Sequence, residues 1–363
     1  MARQKSGLRG ALGRFNAFYW LPRWVTVAAQ GLALLGFGSM TALADPSLLA
    51  VDETLPTWDV SNPTYSGPPR AAEIDVTEGT WLSIDVSPDG QTLIFDLLGD
   101  LYLLDIAGGA ARSLTSGLAW DIQPRFSPDG KQVVFVSDRA GGDNVWVMTL
   151  ATGALKQITK ESFRLLNSPV WHPNGQFIAA KKHFTTSRSL GTGEIWLYDA
   201  TLPEPSEGVE LVARPNKNYQ KELGEPAFSA DGETLFYTQS ATSGNTFIYH
   251  DDSHGGLFQI KQLDLKTGET DVVAGGYGGA VRPVPSPDGQ HLAYVKRVRS
   301  ESRLFVMDLD SQAERMLVDD LDPDMQETWG VYGLYPNMAW LPDSQGLIYC
   351  WGCVVTTISI LRC

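Results

Sequence analysis

The chain has 363 residues, 43% hydrophobic and 10% aromatic, which excludes a disordered polypeptide and leaves enough apolar side chain for a packed core. Its formal charge is −14, and a surface that acidic repels phosphate backbones, so nucleic acid is excluded as a partner. Three cysteines among 363 residues, all within Cys350–Cys363, exclude a disulfide framework for the body.

Residues 1–44 read as an address. Arg3, Lys5, Arg9, Arg14 and Arg23 occur without any acid, and an apolar run from Trp24 to Leu43 follows. Ala42-Leu43-Ala44 has the A-x-A form that a signal peptidase accepts, which predicts cleavage after Ala44. No Arg-Arg pair is present, so the general secretory route is expected, with a periplasmic or secreted product that has no membrane attachment after cleavage. The competing reading is an uncleaved anchor, since about 20 apolar residues span a bilayer. Residues 45–72 form a Pro-rich segment.

From there a repeat dominates. Ser87-Pro88-Asp89-Gly90, Ser127-Pro128-Asp129-Gly130 and Ser286-Pro287-Asp288-Gly289 each stand between two short β-rich runs. His172-Pro173-Asn174-Gly175, Ser229-Ala230-Asp231-Gly232 and Leu341-Pro342-Asp343-Ser344 are variants of the same unit. Proline fixes φ for the first turn position, Asp or Asn bonds its own backbone, and Gly takes a positive φ, so each copy predicts a hairpin. A second strand pair follows each, as in Asn144–Met148 and Lys156–Thr159 with Ala151-Thr152-Gly153 between them. Four strands per repeat is a propeller blade. The predicted fold is therefore all-β: a β-propeller of four-stranded blades, with five complete repeats and a truncated sixth. The later intervals exceed the usual 40–45 residues, which predicts insertions at Leu202–Gly208 and Ser240–Gly255.

After Tyr349 the pattern is lost, and residues 350–363 read as an atypical tail of the kind a frameshift or a truncated gene leaves. Glu73–Val76 could supply one outer strand of the last blade, but at least one more is lacking unless Val354–Leu361 substitutes for it, so an open or strained ring that self-associates through its exposed edge is expected. Cys350-Trp351-Gly352-Cys353 has the C-x-x-C form but lacks the second pair of a zinc site.

Ser-Pro-Asp-Gly followed by an apolar triplet resembles the repeat of TolB and its relatives, periplasmic β-propellers, over residues 73–349. Thr77–Trp81, Lys182–Thr186, Leu190–Trp196, Gln220–Pro226, Asp324–Trp329 and Tyr335–Trp340 resemble a narrower group. In that group an exported TolB-like propeller precedes a metal-dependent amidohydrolase domain. The resemblance implies a hydrolase acting on C–N bonds, with a divalent metal such as zinc held by a catalytic domain absent from this sequence. His172, His183, His250, His254 and His291 never form H-x-H, and neither H-E-x-x-H nor G-x-S-x-G occurs. This chain is thus expected to hold no complete catalytic site, no cofactor and no metal. Two readings follow. One is a binding or scaffold module forming the N-terminal part of a periplasmic amidohydrolase-type hydrolase, with the catalytic domain covalently linked. The other is a TolB-like periplasmic scaffold for protein partners. A prolyl-oligopeptidase-like propeller is disfavoured, because no nucleophile elbow appears.

Propellers bind ligands at the mouth of the central channel. The residues preceding each inner strand include Trp81, Asp121, Arg125, Lys221, Glu222, Arg282, Glu327 and Trp329, joined by Gln123, Glu225 and Asn337. They are candidates to hold a peptide or small molecule; the alternative is that they pair across blades and seal the packing. His183 and Arg188, beside Lys182, form a second candidate on a predicted loop.

Overall fold

Each turn closes on its own side chains. The Ser87 hydroxyl donates to Asp89 Oδ1 (2.6 Å) and accepts from the Thr92 N–H (2.9 Å), while Asp89 Oδ1 also accepts from the Gln91 N–H (3.0 Å). The same bonds recur at Ser127, Ser229 and Ser286. In the third copy Nδ1 of His172 replaces the hydroxyl, accepting from the Asn174 N–H, and Asn174 Oδ1 accepts from the Gln176 N–H. The turn glycines hold φ near +70°, and in the sixth copy Ser344 adopts the same left-handed conformation at φ +57°.

These turns set the strands. The computed structural model describes residues 75–77, 79, 82–186, 191–246, 248, 250–323, 337–351 and 357–362. All lie in one unit, Pro56–Cys363. Blade 1 comprises β1 (Ile84–Val86), β2 (Thr92–Leu97), β3 (Asp100–Asp105) and β4 (Arg112–Ser113). Blade 2 comprises β5 (Asp121–Phe126), β6 (Gln132–Ser137), β7 (Asn144–Thr149) and β8 (Ala154–Gln157). Blade 3 comprises β9 (Leu166–Trp171), β10 (Phe177–Phe184), β11 (Thr192–Asp199) and β12 (Val209–Val212). Blade 4 comprises β13 (Leu223–Phe228), β14 (Thr234–Ser240), β15 (Phe258–Asp264) and β16 (Thr270–Ala274). Blade 5 comprises β17 (Val281–Pro285), β18 (His291–Val298), β19 (Glu301–Asp308) and β20 (Glu314–Pro323). Blade 6 comprises β21 (Met338–Trp340), β22 (Gly346–Trp351) and β23 (Thr357–Arg362). Every sheet is an antiparallel meander in chain order, and no α-helix occurs among the described residues.

Six apolar clusters fill the six spaces between neighbouring blades. Ile94, Leu101, Phe126, Val133 and Phe135 join blades 1 and 2. The decisive cluster joins blade 6 to blade 1: Ala339, Ile348 and Cys350 pack with Ile84, Val86, Leu93 and Phe95. The turns meet there too, since a Cβ on Gly90 would stand 3.4 Å from Pro342. The ring is therefore closed, contrary to the open ring expected from a truncated last repeat. Side-by-side packing of blades closes it, with blade 6 showing three strands among the described residues. Of the two segments expected to complete blade 6, Thr357–Arg362 pairs with β22, while Asp75 and Val76 form no strand and Glu73 and Ile74 lie outside the described residues.

The turn contacts give a controlled stability test. Gly175 (φ +71°) and Gly232 (φ +73°) carry the same left-handed strain, but a Cβ on Gly175 meets nothing within 4 Å, whereas one on Gly232 would stand 2.6 Å from the His172 ring. Both Ala variants incur about 1–2 kcal/mol of backbone strain. Gly232→Ala is expected to lose a further ~1–3 kcal/mol to overpacking, read as a lower urea midpoint than that of Gly175→Ala.

Candidate functional site: the central channel

The inner strands of blades 2 to 5 share an irregularity. Gln123, Ser168, Glu225 and Arg282 each precede a proline and hold φ between +51° and +58°. The pairing register shifts at the same four places. Proline cannot donate to a ladder, so within a sheet it belongs at an edge or a bulge, and here it sits in bulges. A bulge frees backbone N–H groups, which need buried acceptors. They come from the preceding blade. Asp96 Oδ2 accepts from the Gln123 N–H (2.6 Å), Gln123 Oε1 accepts from the Ser168 N–H (2.6 Å), and Glu225 Oε2 accepts from the Arg282 N–H (2.9 Å).

Charge is confined with these bonds. Asp96 also accepts from the Ser83 N–H (2.6 Å), and burial pushes its carboxyl up to about 6. Burial likewise raises Glu225 and Asp85, opposed by Arg282 and Arg125 respectively. Burial, reinforced by Arg125, brings Arg282 down to about 10. Both guanidiniums converge on one acceptor: Arg125 Nη2 and Arg282 Nη2 each donate to Asn337 Oδ1 (3.1 Å). Arg125 Nη1 donates to the carbonyls of Ile84 (2.6 Å) and Pro124 (3.1 Å). Blades 1, 2, 5 and 6 are thereby tied across the axis.

Outward of this polar floor, towards the turns, lies a cavity of about 550 Å³. Equivalent positions of the six blades line it in tiers. The first tier is Asp85, Arg125, Val170, Ala227, Val284 and Ala339, and the second is Val86, Phe126, Trp171, Phe228, Pro285 and Trp340. The turns supply the rim, with Pro88, Pro128, Pro173, Pro287 and Pro342, and Ala230 in the fourth blade. An apolar, preformed cavity of this size with a few convergent polar groups suits a small ligand or an inserted side chain.

Of the residues expected at the channel, Arg125 and Arg282 line this cavity; Asp121, Lys221 and Glu222 do not. Asp121 pairs with Arg139 of its own blade (2.6 Å), whose guanidinium lies over Phe135 and Trp146. Lys221 donates to Thr242 Oγ1 (2.6 Å) and to the Ser243 carbonyl, and Glu222 pairs with the buried Lys181 of blade 3. Trp81, Glu327, Trp329 and Arg188 lie outside the described residues. His183 corrects the loop expectation: it is a buried residue of β10, paired with Gly193 across the hairpin, and its N–H donates to the Leu165 carbonyl. Its neighbour Lys182 pairs with Glu161 and lies 4.1 Å over the Trp196 ring. Asp85, Asp96 and Ser168 escaped the sequence reading, although the four X-Pro dipeptides were its available signal. Among the described residues no three His, Cys, Asp or Glu are grouped to hold a metal ion, and no helix is long and apolar enough to cross a membrane.

Comparison with known proteins bears on the propeller. Residues 70–196 match the family model described as TolB beta propeller domain. The Tol-Pal system protein TolB of Helicobacter hepaticus is 30% identical over 165 residues, covering 44% of this chain and 37% of the relative. That of Francisella tularensis subsp. holarctica is 27% identical over 254 residues, covering 68% and 52%. The chain thus spans between about a third and a half of the length of these curated relatives. Among solved structures, TolB from Acinetobacter baumannii superposes with a TM-score of 0.56 at 17% identity, covering 77% of this chain and 60% of that one. Oligogalacturonate lyase from Vibrio parahaemolyticus does so at 0.52 and 14%, covering 79% and 90%. At such identities the two structures speak for the fold alone. The ring of blades built on Ser-Pro-Asp-Gly turns is a TolB-like β-propeller.

Proposed function

We propose that this chain is an exported protein-interaction scaffold that receives its partner at the mouth of the central channel. The observation that carries this reading is the preformed apolar cavity rimmed by the six turns. The names of the curated relatives, proteins of the Tol-Pal system, favour a scaffold over an accessory module of an amidohydrolase. The basic and apolar leader ending at Ala42-Leu43-Ala44 supports a periplasmic site of action.

Cross-linking tests the reading. A photoreactive residue at Gln91 or Glu233, exposed on the turns, is expected to capture a partner in intact cells. The same residue at Leu155 or Val272, exposed on outer strands, is expected to capture none. Adducts from the outer strands alone would overturn it.

A further inference from the structure

We infer that the partner's docking element is a cationic, apolar-tipped segment, an aromatic or aliphatic residue flanked by lysine or arginine, which enters the channel from the turn side. The inference rests on the scaffold reading and specifies the chemistry of its partner.

The walls ask for an apolar tip. Above the first tier, every blade presents a valine, aromatic or proline at the second tier and a proline or alanine at the rim. The mouth asks for positive charge. Asp89, Asp129, Asp231, Asp288 and Asp343 stand at five of the six turns, all exposed. Their Oδ1 atoms accept the turn bonds, which hold Asp89, Asp129, Asp231 and Asp288 below the usual carboxylate range and so ionised. Like charges add up where they fall within a screening length of ~8–10 Å, and a cleft with low-dielectric walls focuses their field.

The interior does not cancel that field. Arg125 and Arg282 are opposed by Asp85 and Glu225 and are engaged by Asn337 and two carbonyls, so the floor is balanced. At the rim Lys131 pairs with Asp129 (3.4 Å) and Lys266 acts on Asp231, against five aspartates, so the turns keep an excess of negative charge. Two buried lining residues offer acceptors. Ser168 (8% exposed) and Glu225 (2% exposed) hold an Oγ and an Oε1 with no hydrogen-bond partner. Both can accept from an N–H donor, and Glu225 also repels an incoming carboxylate. A small inorganic cation would satisfy the rim but leave the apolar tiers empty. An acidic segment would meet five like charges.

Blade 3 shows how to remove the charge and keep the turn. Asn174 makes the same Oδ1 bond to the N–H two residues on (2.9 Å). Changing the five turn aspartates to asparagine should therefore leave the blades intact. The probe is a fluorescent eight-residue peptide with a Trp-Leu pair between lysine pairs, compared with versions carrying glutamates for lysines or Gly-Ser for Trp-Leu. The full chain is expected to bind the lysine peptide in preference to both. The five Asp→Asn changes should weaken it at least tenfold at 50 mM salt and flatten its salt dependence. Ala230→Arg, an exposed change at the mouth, should weaken it without affecting the thermal melt. Ala227→Trp, which plugs the first tier, should abolish binding. Equal or tighter binding of the glutamate peptide, no binding of any peptide, or indifference to the Asp→Asn changes would overturn the inference. If the glutamate or Gly-Ser peptide binds and Ala227→Trp expels it, the cationic partner falls while channel docking stands. If cross-links arise only from the outer strands, both fall.

Discussion

Arg282→Ala is expected to destabilise the protein by about 3–5 kcal/mol, the usual effect of leaving a buried charge uncompensated. Arg282 is 7% exposed, opposes the buried charge of Glu225 and donates to Asn337. Without it Glu225 keeps a burial that already disfavours its ionised form, and Asn337 Oδ1 keeps only Arg125. The second change Glu225→Gln removes the stranded charge while leaving an amide oxygen to accept from the Arg282 backbone N–H and from Thr238 Oγ1. The double variant should therefore be more stable than Arg282→Ala alone. Urea unfolding of the four proteins gives the coupling directly. A single variant within 1 kcal/mol of the parent would show that the pair is not buried in the sense described.

Acidification from pH 7 to pH 5 is expected to stabilise the protein. Asp96 titrates near 6 in the folded chain against 3.8 for an ordinary aspartate. Between those values the folded state holds a proton that the unfolded state lacks, so stability falls as pH rises through the window. The difference corresponds to about 3 kcal/mol in the limit of a fully buried group. Asp85 and Glu225, also raised, act in the same direction. The turn aspartates act oppositely. Asp89, Asp129, Asp231 and Asp288 are lowered by the turn hydrogen bonds, so the stability they contribute is lost as pH falls below the ordinary carboxylate range. The urea midpoint should therefore rise from pH 7 to 5 and fall again below about 4. The rise should shrink in Asp96→Asn. A midpoint that increases steadily from pH 5 to 7 would sink this account.

The blades were legible because their signal is local. A serine, a proline, an aspartate and a glycine settle one turn among themselves, and even His172 and Ser344 fill their places without breaking it. The site was less legible because its geometry depends on register. In sequence Asp121, Arg125, Lys221, Glu222 and Arg282 all stand just ahead of a turn unit, but Asp121 and Arg125 lie within β5 and Arg282 within β17, whereas Lys221 and Glu222 precede β13. A bulge inserts one residue and changes which side chains face the axis. Gln123-Pro124 separates Asp121 from Arg125 in that way, and Asp121 pairs outward with Arg139. His183 misled for a different reason. The hairpin of β10 and β11 runs eight residues on each side, against six in blade 2, so a stretch read as an excursion is extra strand.

The bonds at the bulges also have a direction. Asp96 serves Gln123, Gln123 serves Ser168 and Glu225 serves Arg282, so each acceptor comes earlier in the chain than the donor it satisfies. A polypeptide that emerges N-terminus first presents each new inner strand to an acceptor already in place. Asn337 comes after both arginines that it receives, one from blade 2 and one from blade 5. The assembly is thus a zipper with a clasp: the blades can be added in order, and the last inner strand locks the first blades to those that followed.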